Sequence, residues 1–119
     1  MDASDKLLII STDPLVAALL GAWAETARYR PVFDQGGEPP QAAVERHRPG
    51  LLLVDIEHRD GASDAFLRRQ REAGLPVILY GSGRRRDDVR SRAERHGLAW
   101  LLLPADQATF TDTLSKAAE

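Results

Sequence analysis

Short apolar runs alternate with amphipathic stretches along the whole chain, the pattern expected where parallel strands are covered by helices. The first run is Lys6–Ile10, Lys-Leu-Leu-Ile-Ile. Thr12-Asp13 then precede Pro14, a capping side chain followed by a proline in a first helical turn. Beyond it Val16, Leu19, Leu20, Trp23 and Ala27 recur at helical spacing and predict a single apolar stripe. Arg30–Phe33 reads as a short second strand, residues 36–40 as a Gly/Pro loop, and Ala43, Val44 and His47 as the inner side of a brief second helix. Residues 51–56, Leu-Leu-Leu-Val-Asp-Ile, are apolar without alternation, which predicts a central strand buried on both faces. Ser63 caps a third helix carrying Phe66, Leu67 and Gln70, closed by Gly74. Residues 76–80 form a fourth strand. Residues 87–96 form a weaker helix, with only Val89 and Ala93 as its apolar side and Gly97 as its stop. Ala99–Leu103 is the fifth strand, and Asp106 caps a last helix that turns Phe110, Leu114 and Ala117 inward.

Five βα units joined by right-handed crossovers predict an α/β fold, a doubly wound five-stranded parallel sheet of order 2-1-3-4-5 in a three-layer α/β/α sandwich. In such sheets functional groups gather at the carboxyl ends of the strands, beside the point where strand order reverses. That edge collects Ser11, Thr12, Asp13, Asp55, Gly81, Ser82, Leu103 and Pro104.

Composition narrows the function. A chain of 119 residues with 43% hydrophobic residues suits one domain and one core. The apolar runs are far shorter than the roughly 20 residues a spanning helix needs, so no membrane association is expected. The start, Met1-Asp2-Ala3-Ser4-Asp5-Lys6, has no basic leader for a secretory signal. Together with the absence of cysteine, which excludes a disulfide framework, a zinc-thiolate site and a thiol nucleophile, this makes the cytoplasm the expected location. A net charge of −2 argues against direct nucleic-acid binding by this domain. No glycine falls between the first strand and Gly21, so a dinucleotide fingerprint is absent. His47, His58 and His96 have no metal-ligand spacing, and no serine sits in a nucleophile elbow.

Several phrases resemble the response-regulator receiver family of two-component signal transduction, whose fold is flavodoxin-like (CheY-like). They are Leu7-Leu8-Ile9-Ile10-Ser11-Thr12-Asp13-Pro14-Leu15, Arg48-Pro49-Gly50 running into Leu51-Leu52-Leu53-Val54-Asp55-Ile56 and on to Asp60-Gly61, Leu75-Pro76-Val77-Ile78-Leu79, and Trp100-Leu101-Leu102-Leu103-Pro104. The resemblance covers essentially the whole chain. It implies a phosphoacceptor at Asp55, two acidic residues after the first strand, a hydroxyl after the fourth and a lysine before Pro104, set around a Mg²⁺ ion. Here the acidic pair is replaced by Ser11 and Thr12, the hydroxyl position by Gly81 with Ser82 beside it, and the lysine by Leu103. Trp100 falls where the family usually has a switching aromatic. Asp13 is read as a helix cap before a metal ligand, and Glu57 as a substitute carboxylate. Asp13, Asp55 and Glu57 are therefore the weak candidates for metal.

The leading expectation is a degenerate, pseudo-receiver domain. It is not an enzyme, needs no cofactor, and regulates signalling or transcription by docking a protein partner or a second copy. The docking face would be the fourth helix, fifth strand and fifth helix, presenting Trp100 with Arg90, Arg92 and Arg95. Such a domain is expected to span residues 1–119, as the N-terminal part of a longer regulator. A second reading is a working receiver in a phosphorelay, phosphorylated on Asp55 with Mg²⁺. A third is a sensor of a small anion at residues 81–86, where Gly81, Ser82, Arg84 and Arg85 would supply backbone N–H groups and guanidiniums.

Overall fold

A computed structural model describes residues 4–119; Met1, Asp2 and Ala3 of the acidic start lie outside the described residues. Strands β1 (Lys6–Ile10), β2 (Arg30–Phe33), β3 (Leu51–Asp55), β4 (Val77–Ser82) and β5 (Ala99–Leu103) alternate with helices α1 (Pro14–Thr26), α2 (Pro40–His47), α3 (Asp64–Glu72), α4 (Arg86–His96) and α5 (Gln107–Ala118). The five strands are parallel and ordered β2-β1-β3-β4-β5, the doubly wound order expected from the alternation. Alternate side chains divide the interior into two layers. Leu8, Ile10, Leu52, Val54 and Leu79 pack against Ala43, Phe66, Leu67, Val89 and Ala93 of α2, α3 and α4. Leu7, Ile9, Leu51, Leu53, Ile78 and Tyr80 pack against Leu20, Ala24, Phe110 and Leu114 of α1 and α5. All five residues of β3 are buried, which puts Asp55 at the carboxyl end of the most enclosed strand.

The caps follow the sequence. Asp13 accepts from the amides of Leu15 and Val16, Ser63 from Phe66 and Asp106 from Thr109, so three helix starts are fixed by side chains. Gly97 closes α4 in the left-handed region at φ 66°.

Three expectations are corrected. The fourth strand does not stop at Tyr80: Gly81 and Ser82 continue it, because they pair in register with Leu102 and Leu103 of β5. The stretch that follows is a single 3₁₀ turn, Gly83–Arg85, which runs directly into α4. The stripe of α1 loses one member: Val16, Leu20, Trp23 and Ala27 pack on the core beside Gly21 and Ala24, whereas Leu19 is 46% exposed. That helix is apolar nearly all round, so spacing alone did not fix its inner side.

Candidate functional site

The carboxyl edge of the sheet brings Ser11, Thr12, Asp13, Asp55, Glu57 and Gly81 together. Asp55 is only 6% exposed. Its Oδ2 accepts from the Thr12 amide at 3.1 Å and the Thr12 hydroxyl at 2.6 Å, and its Oδ1 accepts from the Glu57 amide at 2.9 Å. A hydroxyl donating to an ionised carboxylate at that length is a charge-assisted bond, stronger than a neutral one. Both oxygens are therefore committed to chain groups.

The other carboxylates of this edge are engaged too. Asp13 Oδ1 caps α1, accepting from Leu15 N–H at 2.9 Å. Ser11 Oγ is turned to the same residue, 3.1 Å from both the amide and the carbonyl of Asp13. Glu57 forms an ion pair with Arg85, whose Nε also donates to Asp88 Oδ2 at 2.8 Å. The Asp88 bond first, then the Glu57 bond, raise the Arg85 pKa further. Arg85 thus ties the β3–α3 loop to the start of α4, while Arg84 is exposed with no ion-pair partner among the described residues. Gly81 is closed in. A Cβ placed on it would lie 2.6 Å from Ile56 Cγ2 and 2.8 Å from Val89 Cγ2, two methyls on χ1-stiff β-branched side chains.

No protein-family model matches the sequence. No curated protein matches it either. Solved structures do match. The signal receiver domain of a modulated diguanylate cyclase from Desulfovibrio desulfuricans superposes with a TM-score of 0.73 at 28% identity, over 95% of this chain and 92% of that one. The beryllofluoride-activated N-terminal receiver domain of Klebsiella pneumoniae RstA gives 0.78 at 22% identity, over 96% of this chain and 98% of that one. The beryllofluoride-activated NtrC4 receiver domain dimer gives 0.75 at 19% identity, over 95% of each chain. The fold is that of a response-regulator receiver domain.

A receiver fold implies Mg²⁺ beside the acceptor, and the side chains at this edge do not fit it. A hard, near-octahedral cation wants free carboxylates and water. Ser11 and Thr12 are neutral, Asp13 holds a helix start through Oδ1, and Glu57 is paired with a guanidinium. Among the described residues no group of three or more His, Cys, Asp or Glu side chains is placed to hold a metal ion. The lysine position of the receiver fold, Leu103, lies half-buried against the α1/α5 layer of the core.

Two arrangements near this edge escaped sequence reasoning. Tyr80 is the strand partner of Asp55, and its hydroxyl is buried with no hydrogen-bond partner among the described residues. Burial pushes its pKa far above the usual phenol range, an effect the nearby Ser11 opposes and the charge of Asp55 adds to. One aromatic in an otherwise aliphatic strand was the available signal. Just past β2, Asp34 Oδ2 lies 4.0 Å from His58 Nε2, while His58 Nδ1 accepts from the Gly61 amide at 2.9 Å. Burial raises the Asp34 pKa, against a backbone hydrogen bond and the charge of His58. This pair joins residues 24 apart in sequence, and no local pattern encodes it.

On the opposite flank, Trp100 is 37% exposed on edge strand β5 and lines a groove of about 530 Å³ with Arg86, Pro104, Asp106, Thr109 and Thr113. Two of the three arginines expected beside it, Arg92 and Arg95, are turned elsewhere. Arg92 donates to the Ala62 carbonyl at 2.7 Å, Arg95 holds both oxygens of Asp64 at 2.9 Å, and Arg90 pairs along its own helix with Asp87 and Glu94. Arg92 and Arg95 face the start of α3, where the Ala62 carbonyl takes one guanidinium and the Asp64 carboxylate takes the other. His47 meets the Phe33 carbonyl and His96 meets Asp64, so the three histidines stay apart.

Proposed function

We propose that this chain is an atypical receiver module of two-component signalling that acts by docking protein and does not depend on phosphorylation of Asp55. The observation that carries this reading is the engagement of Asp55: three hydrogen bonds from Thr12 and Glu57 hold both of its oxygens. Attack on a phosphoryl group through Oδ2 would have to displace the Thr12 bonds, with neutral Ser11 and Thr12 where acidic side chains would seat a divalent ion and Leu103 where an ammonium would meet the incoming charge. Loss of one such donor costs on the order of 3 kcal/mol of barrier, and the deficits here act together. In this reading the module catalyses nothing, binds no cofactor, and its output is a contact made by α4, β5 and α5. Trp100, beside Arg86 in the groove, has the composition of an interface anchor. The NtrC4 receiver domain is itself a dimer, which supports pairing as one form such a contact takes.

Tryptophan fluorescence under Mg²⁺ and beryllofluoride tests this. The expected result is a flat titration, identical in Asp55→Asn. A saturable change that Asp55→Asn abolishes would overturn the proposal and establish a working phosphoacceptor with Mg²⁺.

A further inference from the structure

From Pro14 to Ala24, helix α1 contains no charged residue. A helix apolar on every side is normally enclosed. Here Leu15 is 82% exposed and Leu19 46%, with Ala18 and Ala22 also in solvent. Phe33, 42% exposed on edge strand β2, extends the patch; it lies against α1 so closely that a Cβ on Gly21 would sit 3.0 Å from its ring. Contiguous exposed apolar surface of this kind marks an interaction site.

The spacing within the patch names its occupant. Leu15, Leu19, Ala22 and Thr26 are all exposed and fall at successive steps of four, three and four residues, the seam of one helix packing along another. A two-fold axis midway between residues 20 and 21 sets Leu19 against Ala22 and Leu15 against Thr26 of an antiparallel copy. The same axis sets Asp13 against Arg28. Asp13 uses Oδ1 for its cap and has no ion-pair partner among the described residues, and neither has Arg28, an exposed side chain just past the helix end. Glu25, the helix's one charge, falls at the rim opposite Val16. We infer that α1 pairs antiparallel with α1 of a second copy of this chain. This surface is separate from the α4–β5–α5 face. A single helix pair about 20 Å long buries less than a standard interface of roughly 1,600 Å², so the dimer is weak and reversible, with Kd on the order of 100 μM.

Sedimentation velocity over roughly 10 μM to 1 mM covers that range. The expected result is a mass rising from monomer toward dimer in the native chain and in Trp100→Ala. Leu19→Glu should stay monomeric throughout with an unchanged melting temperature. Arg28→Glu should weaken association roughly tenfold, with Arg28→Lys close to native. A native chain that is monomeric throughout would overturn the inference, as would association indifferent to Arg28→Glu. Association lost in Trp100→Ala and kept in Leu19→Glu would also overturn it, while leaving the proposed docking face intact.

Discussion

Helix α1 packs Leu20, Gly21 and Ala24 onto one face of the sheet and turns Leu15 and Leu19 to water. Helix α4 packs Val89, Ala93 and His96 onto the opposite face and turns Arg86, Asp87, Asp88, Arg90, Glu94 and Arg95 to water. Both are anchored by a narrow inner strip of three buried residues. They differ in what secures the rest. Among the described residues no hydrogen bond or ion pair joins an α1 side chain to another element, whereas α4 is fastened to α3 by Arg92 on the Ala62 carbonyl and by Arg95 and His96 on Asp64. A charged exterior declares which side of a helix is inside; an apolar exterior conceals it and leaves a surface that a partner can use.

The largest effect should come from the inner strip of α1. Leu20→Ala is expected to cost about 2–5 kcal/mol in urea unfolding at micromolar concentration, and Leu19→Ala to stay within about 0.5 kcal/mol. Equal losses at the two positions would break the assignment of inner and outer sides. A smaller effect is expected where α4 meets β4. Gly81→Thr drives a side chain into Ile56 and Val89 and should cost about 1–3 kcal/mol, part of it recovered by Val89→Ala. Full stability with no recovery would mean that this corner is not closely filled.

The smallest effect concerns the charged fastening of α4. The His96 hydrogen bond, then the charge of Arg95, hold the Asp64 carboxyl below its usual range. A carboxylate depressed in this way stabilises the folded state above the unfolded value near pH ~4, and that contribution fades as pH falls through the lower folded value. Asp64→Asn should therefore melt below the native chain at neutral pH, and the two melting temperatures should converge on acidification. A gap that persists in acid would assign the difference to packing.

The fold was legible because each strand is a dense apolar run bracketed by turn residues, and the caps Asp13, Ser63 and Asp106 mark helix starts locally. What escaped the sequence depended on partners distant along the chain. Gly81 and Ser82 read as a turn because glycine usually ends a strand, yet Leu102 and Leu103 of β5 hold them in the sheet. Arg92 and Arg95 could face either neighbour of α4 until Asp64 and Ala62 were placed. At the candidate site the missing acidic pair and lysine were visible as residue types. That Thr12 reaches Asp55, or that Arg85 reaches Glu57, required the loops to be folded.

The filled corner over Gly81 also bears on how such a chain could change. A hydroxyl-bearing residue at position 81, inside β4, meets Ile56 and Val89 at once, and shrinking either to make room opens a void in the core. Carboxylates and a lysine placed along this edge would therefore leave the corner over Gly81 shut.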